Sequence, residues 1–192
     1  NFDFKINVKN NNINFESIKG NILNNNIEHM IVNITPSNIE NPIMDIDLTL
    51  ASPIPNIINA INKSPIKKVM KGIFDEMKGE GPGKLAIQLQ IPLKDEDNIS
   101  FDGTYEFQNS YLINPTLGLP KISNIIGKID FTQDDIKING AVANLSGSPI
   151  KIELTNIDDI TKINIDGIIN QKFIRSALGE NWANNINGET SW

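Results

Sequence analysis

The stretch from Ile126 to Leu154 alternates apolar and polar residues in three successive runs, and this alternation restricts the folds that the chain can adopt. Within each run the apolar residues lie two positions apart, which is the pattern of a β-strand with one buried face and one face in water. The connecting segments contain Asp, Gly, Ser and Pro, and they are too short to hold a crossover helix. We therefore expect neighbouring strands to pair antiparallel, as a meander.

The same alternation extends over most of the chain. It begins at Phe2–Val8, returns at Met44–Leu50 and is most regular at Leu85–Leu93. Repeated runs of this kind, separated by turn residues, are typical of an all-β arrangement. We therefore expect one β meander over residues 1–50 and another over residues 84–170.

Helical spacing occurs only in short segments. Residues 57–61 follow two prolines and suggest a short helix, and residues 65–78 place apolar side chains at i, i+3, i+4 and i+7 behind a Ser-Pro start. The Gly-rich segment Gly79–Gly83 is expected to be a flexible linker. Helical spacing returns at Lys172–Leu178, where the next residue, Gly179, suits the end of a helix.

Together these patterns predict a mainly β fold, an antiparallel meander with one or two short amphipathic helices. We interpret residues 1–192 as a single segment of a longer protein, because the chain lacks an initiating Met and its last residues look like the start of a strand. Within that segment, residues 51–83 are expected to form a helical insert and linker. Residues 171–192 are expected to form a short helix and the beginning of the next strand.

Charge and composition exclude several classes of protein. The formal net charge is -6 and the isoelectric point is near 4.8, so we expect no nucleic-acid partner, because phosphate contacts need a basic face. Cysteine is absent, so the chain forms neither a disulfide nor a thiolate metal site. No apolar run approaches the ~18 residues of a membrane-spanning helix.

The chain offers few groups for catalysis. His29 is the only histidine, so a multi-histidine metal site cannot form from this sequence. Asp45 and Asp47 are spaced to share one face, which a glycosidase or a metal ion could use. We prefer the simpler interpretation, in which both lie on the solvated side of a strand. We therefore expect no enzymatic activity and no cofactor.

The apolar rows consist almost entirely of Ile and Leu. In a β-sandwich the inward rows of two sheets cover one another, and aromatic side chains supply much of the filling. Aromatic residues make up only 6% of this chain. The composition is therefore compatible with one sheet face that stays uncovered and available to an apolar ligand.

The order of several motifs resembles that of the YhdP branch of the AsmA-like proteins. The motifs are GKLAIQLQIPL at Gly83–Leu93, a strand that contains Gly103, IGKIDFT at Ile126–Thr132, GSPI at Gly147–Ile150 and INIDG at Ile163–Gly167. The resemblance covers most of the chain from Leu50 onward, whereas the first strands fit in general character only.

This resemblance implies a segment of a long envelope protein of Gram-negative bacteria. Such a protein lies in the periplasm and is anchored to the inner membrane, here by a segment outside this chain. The family is similar to the bridge-like lipid transfer proteins, whose β units twist into an open, taco-like groove with an apolar inside. The implied function is the transport of phospholipid between the inner and outer membranes, which other parts of the parent chain would contact.

A groove of this kind would cover the methylene groups of an acyl chain, each worth about 0.8 kcal/mol when removed from water. Ile and Leu suit the lining because they contact hydrocarbon without directional preference, whereas unpaired polar groups would act as barriers. The residues that we predict to line the groove are Leu85, Ile87, Leu89, Ile91, Phe101, Phe107, Ile129, Phe131, Ile136, Ile138, Val142, Ile150, Ile152, Leu154, Ile163 and Ile165.

The alternative interpretation is a structural β spacer or adhesin-like module that binds no lipid. In that case a second sheet and the helix at residues 65–78 would cover the apolar rows in a closed core. The two interpretations differ in whether an apolar face of more than a few hundred Å² stays uncovered, since patches above that size usually mark binding sites.

Overall fold

A computed structural model describes residues 3–10, 12–35, 40–63, 67, 75–94, 98–114, 120–157, 160–178 and 189–191 of the chain. The strands within these residues are β1 (Asp3–Lys9), β2 (Asn12–Ile22), β3 (Asn25–Ile34), β4 (Ile43–Ala51), β5 (Lys78–Glu80), β6 (Gly83–Pro92), β7 (Ser100–Ile113), β8 (Ile122–Thr132), β9 (Ile136–Leu145), β10 (Ser148–Ile157), β11 (Ile160–Asn170) and β12 (Glu189–Ser191). The helices described from end to end are α1 (Ile54–Asn62) and α2 (Gln171–Leu178).

The described strands form one open sheet of 12 strands. They follow one another across the sheet in chain order, except that the short β5 pairs with β7 beside the main path. Every described pair is antiparallel. Most connections are short turns, which can join antiparallel neighbours but not parallel ones. The prediction of a mainly β, antiparallel and open meander is confirmed.

Residues with positive φ angles form the tight turns between strands. Leu23 and Asn24, with φ angles of 48° and 66°, connect β2 to β3. Ser146 and Gly147, with φ angles of 53° and 83°, connect β9 to β10. Two consecutive residues of this kind make a type I′ turn, whose twist matches that of the flanking strands. Such turns fix the pairing of the strands, so that their apolar residues share one face of the sheet.

The two faces of the sheet differ in polarity. On β6, Leu85 and Ile87 are buried, whereas Gln88 is exposed on the opposite side. On β10, the ammonium group of Lys151 contacts the carboxylate of Glu153 at 2.6 Å on that same exposed side. We call the apolar side the inner face and the polar side the outer face.

A bulge in β9 changes which of its residues point inward. Ile129 of β8 pairs with Ile138, but Ile126 pairs with Val142, so the interval on β9 is one residue longer than the interval on β8. Gly140 lies in this interval and has a φ of +70°, in the left-handed region that favours glycine. The alternation of β9 therefore shifts by one residue beyond the bulge.

The Gly-rich segment Gly79–Gly83 lies mostly in the sheet, with only Gly81 and Pro82 between β5 and β6, so its prediction as a flexible linker is wrong. Gly79 lies in β5, where a Cβ atom would collide with the carbonyl oxygen of Tyr111. Gly83 begins β6, where a Cβ atom would collide with the ring and hydroxyl of Tyr105. These glycines therefore permit close packing.

Two of the three helical segments predicted from the sequence form helices among the described residues. The segment at residues 57–61 lies in α1, and the segment at Lys172–Leu178 lies in α2. The helix predicted over residues 65–78 falls largely outside the described residues, and its last residue, Lys78, belongs to β5. No helix in the described parts of the chain is long and apolar enough to cross a membrane.

Candidate functional site

The inner face of the sheet surrounds a cavity of about 420 Å³. Its lining includes Ile22 of β2 and Ile163 of β11, which lie on strands near opposite edges of the sheet. Helix α1 contributes Ile54, Ile57 and Ile61 to the same lining. The sheet therefore curls into a groove, and α1 forms part of its wall.

A continuous row of side chains crosses the inner face from β3 to β11. Its members lie directly opposite one another on successive strands of the main path and are Ile27, Leu50, Leu85, Tyr105, Ile129, Ile138, Leu154 and Ile163. Neighbouring strands lie about 4.8 Å apart, so the seven intervals make the row roughly 34 Å long, measured along the sheet. We call this set the apolar row.

The inner face is buried in the middle of the sheet and exposed toward both edges. Leu50 and Leu85 of the apolar row are 3% and 6% exposed, whereas Ile163 near one edge is 57% exposed. On β1, at the other edge, the inward side chains of Ile6 and Val8 are 51% and 69% exposed. Apolar residues exposed on one continuous face mark a binding surface more often than scattered ones do. The exposed side chains at the two edges therefore favour a binding role for the inner face.

A chain of buried hydrogen bonds lies beside α1. The hydroxyl of Tyr105 donates to the carbonyl oxygen of Ser52 at 2.7 Å, and Oγ of Ser52 donates to Oδ1 of Asn25 at 2.8 Å. The amide of Asn25 donates in turn to the carbonyl oxygens of Ile22 and Leu23, both at 3.1 Å. Burial raises the pKa of Tyr105 above its ordinary value. Each of these polar side chains has a partner, so this chain of hydrogen bonds adds no unpaired polar group to the groove.

The match to a protein family extends over the complete sequence. The model of the family described as YhdP protein matches residues 1–192. The chain belongs to the YhdP family. The resemblance inferred from the strand motifs is therefore confirmed, and the match also includes the first strands. No curated protein and no solved structure matches the chain.

In this YhdP-family chain, the cavity brings together most of the residues predicted to line a groove. Those in the cavity lining are Leu85, Ile87, Leu89, Phe107, Ile129, Phe131, Ile136, Ile138, Ile152, Leu154, Ile163 and Ile165. Phe101 and Ile150 are buried in the core on the inner face, and Ile91 is half-buried near the end of β6. That these residues contact lipid stays a prediction.

Val142 is the exception, and its predicted position on the inner face is wrong. The bulge at Gly140 turns it to the outer face, where it lies opposite Ile126. The two side chains are 50% and 55% exposed. Ala141, which simple alternation places on the outer face, lines the cavity instead.

Several lining residues of this YhdP-family groove were not among those predicted from the sequence. The main set lies on α1 at Ile54, Ile57, Ile58 and Ile61, with the i, i+3, i+4, i+7 spacing of a helix face. That spacing was the available signal, but it indicates only a helix with one apolar side. It does not indicate which surface the helix covers.

The outer face carries the polar residues considered for catalysis. Asp45 accepts a hydrogen bond from Nε2 of Gln90 at 3.0 Å, and Asp47 lies opposite Gln88 on β6. His29 is exposed on β3. These placements agree with the solvated side of a strand. Within the described residues, no group of three or more His, Cys, Asp or Glu side chains is arranged to hold a metal ion.

Proposed function

We propose that this YhdP-family protein shields the acyl chains of phospholipids in its groove while they move between the inner and outer membranes. The proposal places the protein in the periplasm, anchored to the inner membrane by a segment outside this chain, and assigns it no enzymatic activity. The observation that carries it is the apolar row, which crosses a curled, open sheet without a gap from β3 to β11. Family membership supports an AsmA-like role in the cell envelope.

The apolar row offers an acyl chain a substitute for the bilayer interior. A methylene group exposed to water costs about 0.8 kcal/mol, so a chain of a dozen such groups would cost on the order of 10 kcal/mol. Successive members of the row are one strand spacing apart, about 4.8 Å, so a chain that slides along the row keeps apolar contact throughout. The free energy of the chain therefore stays nearly level along the path.

The exposed edges favour this proposal over a closed structural module. A closed core would cover the inner face with a second layer, yet all strands that the structure describes belong to one sheet. Phe4 on β1 is 52% exposed, whereas large apolar side chains in a closed core are buried. An open apolar face fits a ligand that arrives and leaves.

Site-specific photocrosslinking in cells tests the proposal. We expect a photoreactive amino acid in place of Ile138 or Ile152, both of which line the cavity, to capture phospholipid. The matched controls replace Lys137 or Lys151, the outward neighbours on the same strands, and should capture little. Mass spectrometry of the captured adducts identifies the lipid. Equal capture from both faces would contradict the proposal.

A further inference from the structure

Helix α1 is fixed to the sheet at its first turn. The backbone N–H of Ile54 donates to the carbonyl oxygen of Gly81 at 3.1 Å, and Nδ2 of Asn56 donates to the carbonyl oxygen of Asn24 at 2.7 Å. The side chain of Ile54 is only 1% exposed. The start of the helix is therefore attached both to the turn before β3 and to the turn before β6.

The buried hydrogen-bond chain adds a second attachment just before α1. Ser52 lies two residues ahead of Ile54 and is fully buried. Its carbonyl oxygen is held by Tyr105 of β7, its hydroxyl by Asn25 of β3 and its N–H by the carbonyl oxygen of Gly83 on β6. Three separate strands thus fix the point at which the chain enters α1, so the helix keeps one position over the groove.

The side of α1 that faces the groove is apolar, and the opposite side is polar. Ile57, Ile58, Ala60 and Ile61 line the cavity, whereas Asn59 does not. The cavity volume of about 420 Å³ is near the small end of the range for ligand pockets, about 300–1,000 Å³. A cavity of this size, lined almost entirely by apolar side chains, suits one acyl chain.

We propose that α1 is the specificity-determining wall of the groove and confines the covered part of the groove to one unbranched acyl chain of a lipid. This inference rests on the proposed function and names the ligand of the covered part of the groove. Asn25, Ser52 and Tyr105 are positioning residues, because they act on the ligand through the placement of α1. The polar side of α1 faces away from the acyl chain and does not contact it.

The test uses the native protein and palmitic acid that carries a diazirine at its terminal carbon. After photolysis, peptide mass spectrometry measures the label on α1 and on the β9 segment that contains Ile138. We expect both to be labelled. Ala60→Trp should lower the label on α1 by about tenfold or more, because the indole displaces several methylene groups from apolar contact. Asn59→Trp adds the same bulk outside the cavity and should leave the label on α1 near its original level.

A second variant keeps the test decisive if Ala60→Trp destabilises the protein. Ile58→Ala widens the cavity beneath α1, so the labelling by a methyl-branched fatty acid should rise several-fold relative to palmitic acid. An unchanged ratio in Ile58→Ala, or an α1 label in Ala60→Trp equal to that in Asn59→Trp, would overturn the role of α1. Label on β9 without label on α1 would also overturn it and leave the proposed function standing. Absence of label from both segments would overturn both.

Discussion

Tyr105 shows how a polar group is accommodated in an apolar groove. It occupies the middle of the apolar row, between Leu85 and Ile129, and is only 6% exposed. Its ring fits because Gly83 beside it has no side chain. Its hydroxyl is paired with the carbonyl oxygen of Ser52, so the residue presents mainly its ring to the cavity. A buried phenol with a partner is compatible with an apolar path, whereas an unpaired one would not be.

We expect Tyr105→Phe to lower the free energy of unfolding at neutral pH by about 1–3 kcal/mol, because it leaves the carbonyl oxygen of Ser52 buried without this partner. Burial raises the pKa of Tyr105 in the folded state, so its contribution to stability is complete below its ordinary pKa of about 10 and is lost as the pH rises toward the folded value. The difference between the two proteins should therefore shrink in alkaline solution. Urea unfolding at neutral and alkaline pH measures both effects.

Tyr111→Phe provides the control for this prediction, because Tyr111 is a partly exposed residue of the same strand whose side chain hydrogen-bonds Glu80. Loss of the Tyr111 hydroxyl should lower the free energy of unfolding by less than loss of the Tyr105 hydroxyl does. An equal loss of stability in the two variants would contradict the role assigned to the buried hydrogen bond.

At the scale of elements, β9 carries the bulge that decides which of its residues line the groove. Ile136 and Ile138 face inward before Gly140, whereas Ala141 faces inward after it. The strand thus contributes to the cavity on both sides of the bulge, although its alternation is broken. The small side chain of Ala141 fits against Gly127 of β8, where an added Cβ atom would lie 2.6 Å from that of Ala141.

Aspartate substitutions on either side of the bulge test this assignment. Val142→Asp should cost at most about 1 kcal/mol of stability, because the carboxylate stays in water and only strand propensity is lost. Ile138→Asp should cost about 2 kcal/mol or more, because it places a charge on the inner face. It should also abolish lipid capture by a crosslinker at Ile152. Chemical unfolding and the capture assay measure these effects, and similar losses in both variants would show that the bulge is misplaced.

The fold was predictable from the sequence because alternation is a local property. The alternation in the sequence assigns Leu85 and Ile87 to one face and Gln88 to the other, and the sheet has them on those faces. The direction of Val142 was not predictable from alternation, since one extra residue at Gly140 reverses the faces of everything that follows on the strand. The role of α1 was not predictable either, because it depends on contacts with strands distant in sequence.

At the scale of the whole molecule, the described sheet ends at two edge strands, β1 and β12. The edge strand β1 exposes its backbone groups and also the inward side chains Phe4, Ile6 and Val8. Natural sheets usually protect such an edge with charge, proline or a covering segment. Lys5 and Lys9 place charge on the outer side of this edge, whereas its inward side chains at Phe4, Ile6 and Val8 carry none, so the edge is suited to pairing with another β segment.

We expect the chain to self-associate when produced alone, and we expect Ile6→Lys to reduce that association by placing a charge on the exposed inner face of the edge. Asn7→Lys is the matched control, since it adds the same charge to the outer face of the same strand. Sedimentation equilibrium measures the average mass of each variant. Equal reductions would indicate that net charge, and not the apolar edge, governs association.

The pairing of strands in chain order also has a consequence for biosynthesis. From β7 to β11, each strand pairs with the strand that immediately precedes it in the chain, so each new strand of a growing polypeptide finds its partner strand already made. Local contacts of this kind keep the entropic cost of each addition low and allow rapid assembly from the amino terminus. A protein built in this way can be lengthened during evolution by one hairpin after another, with no need to redesign the hairpins already present.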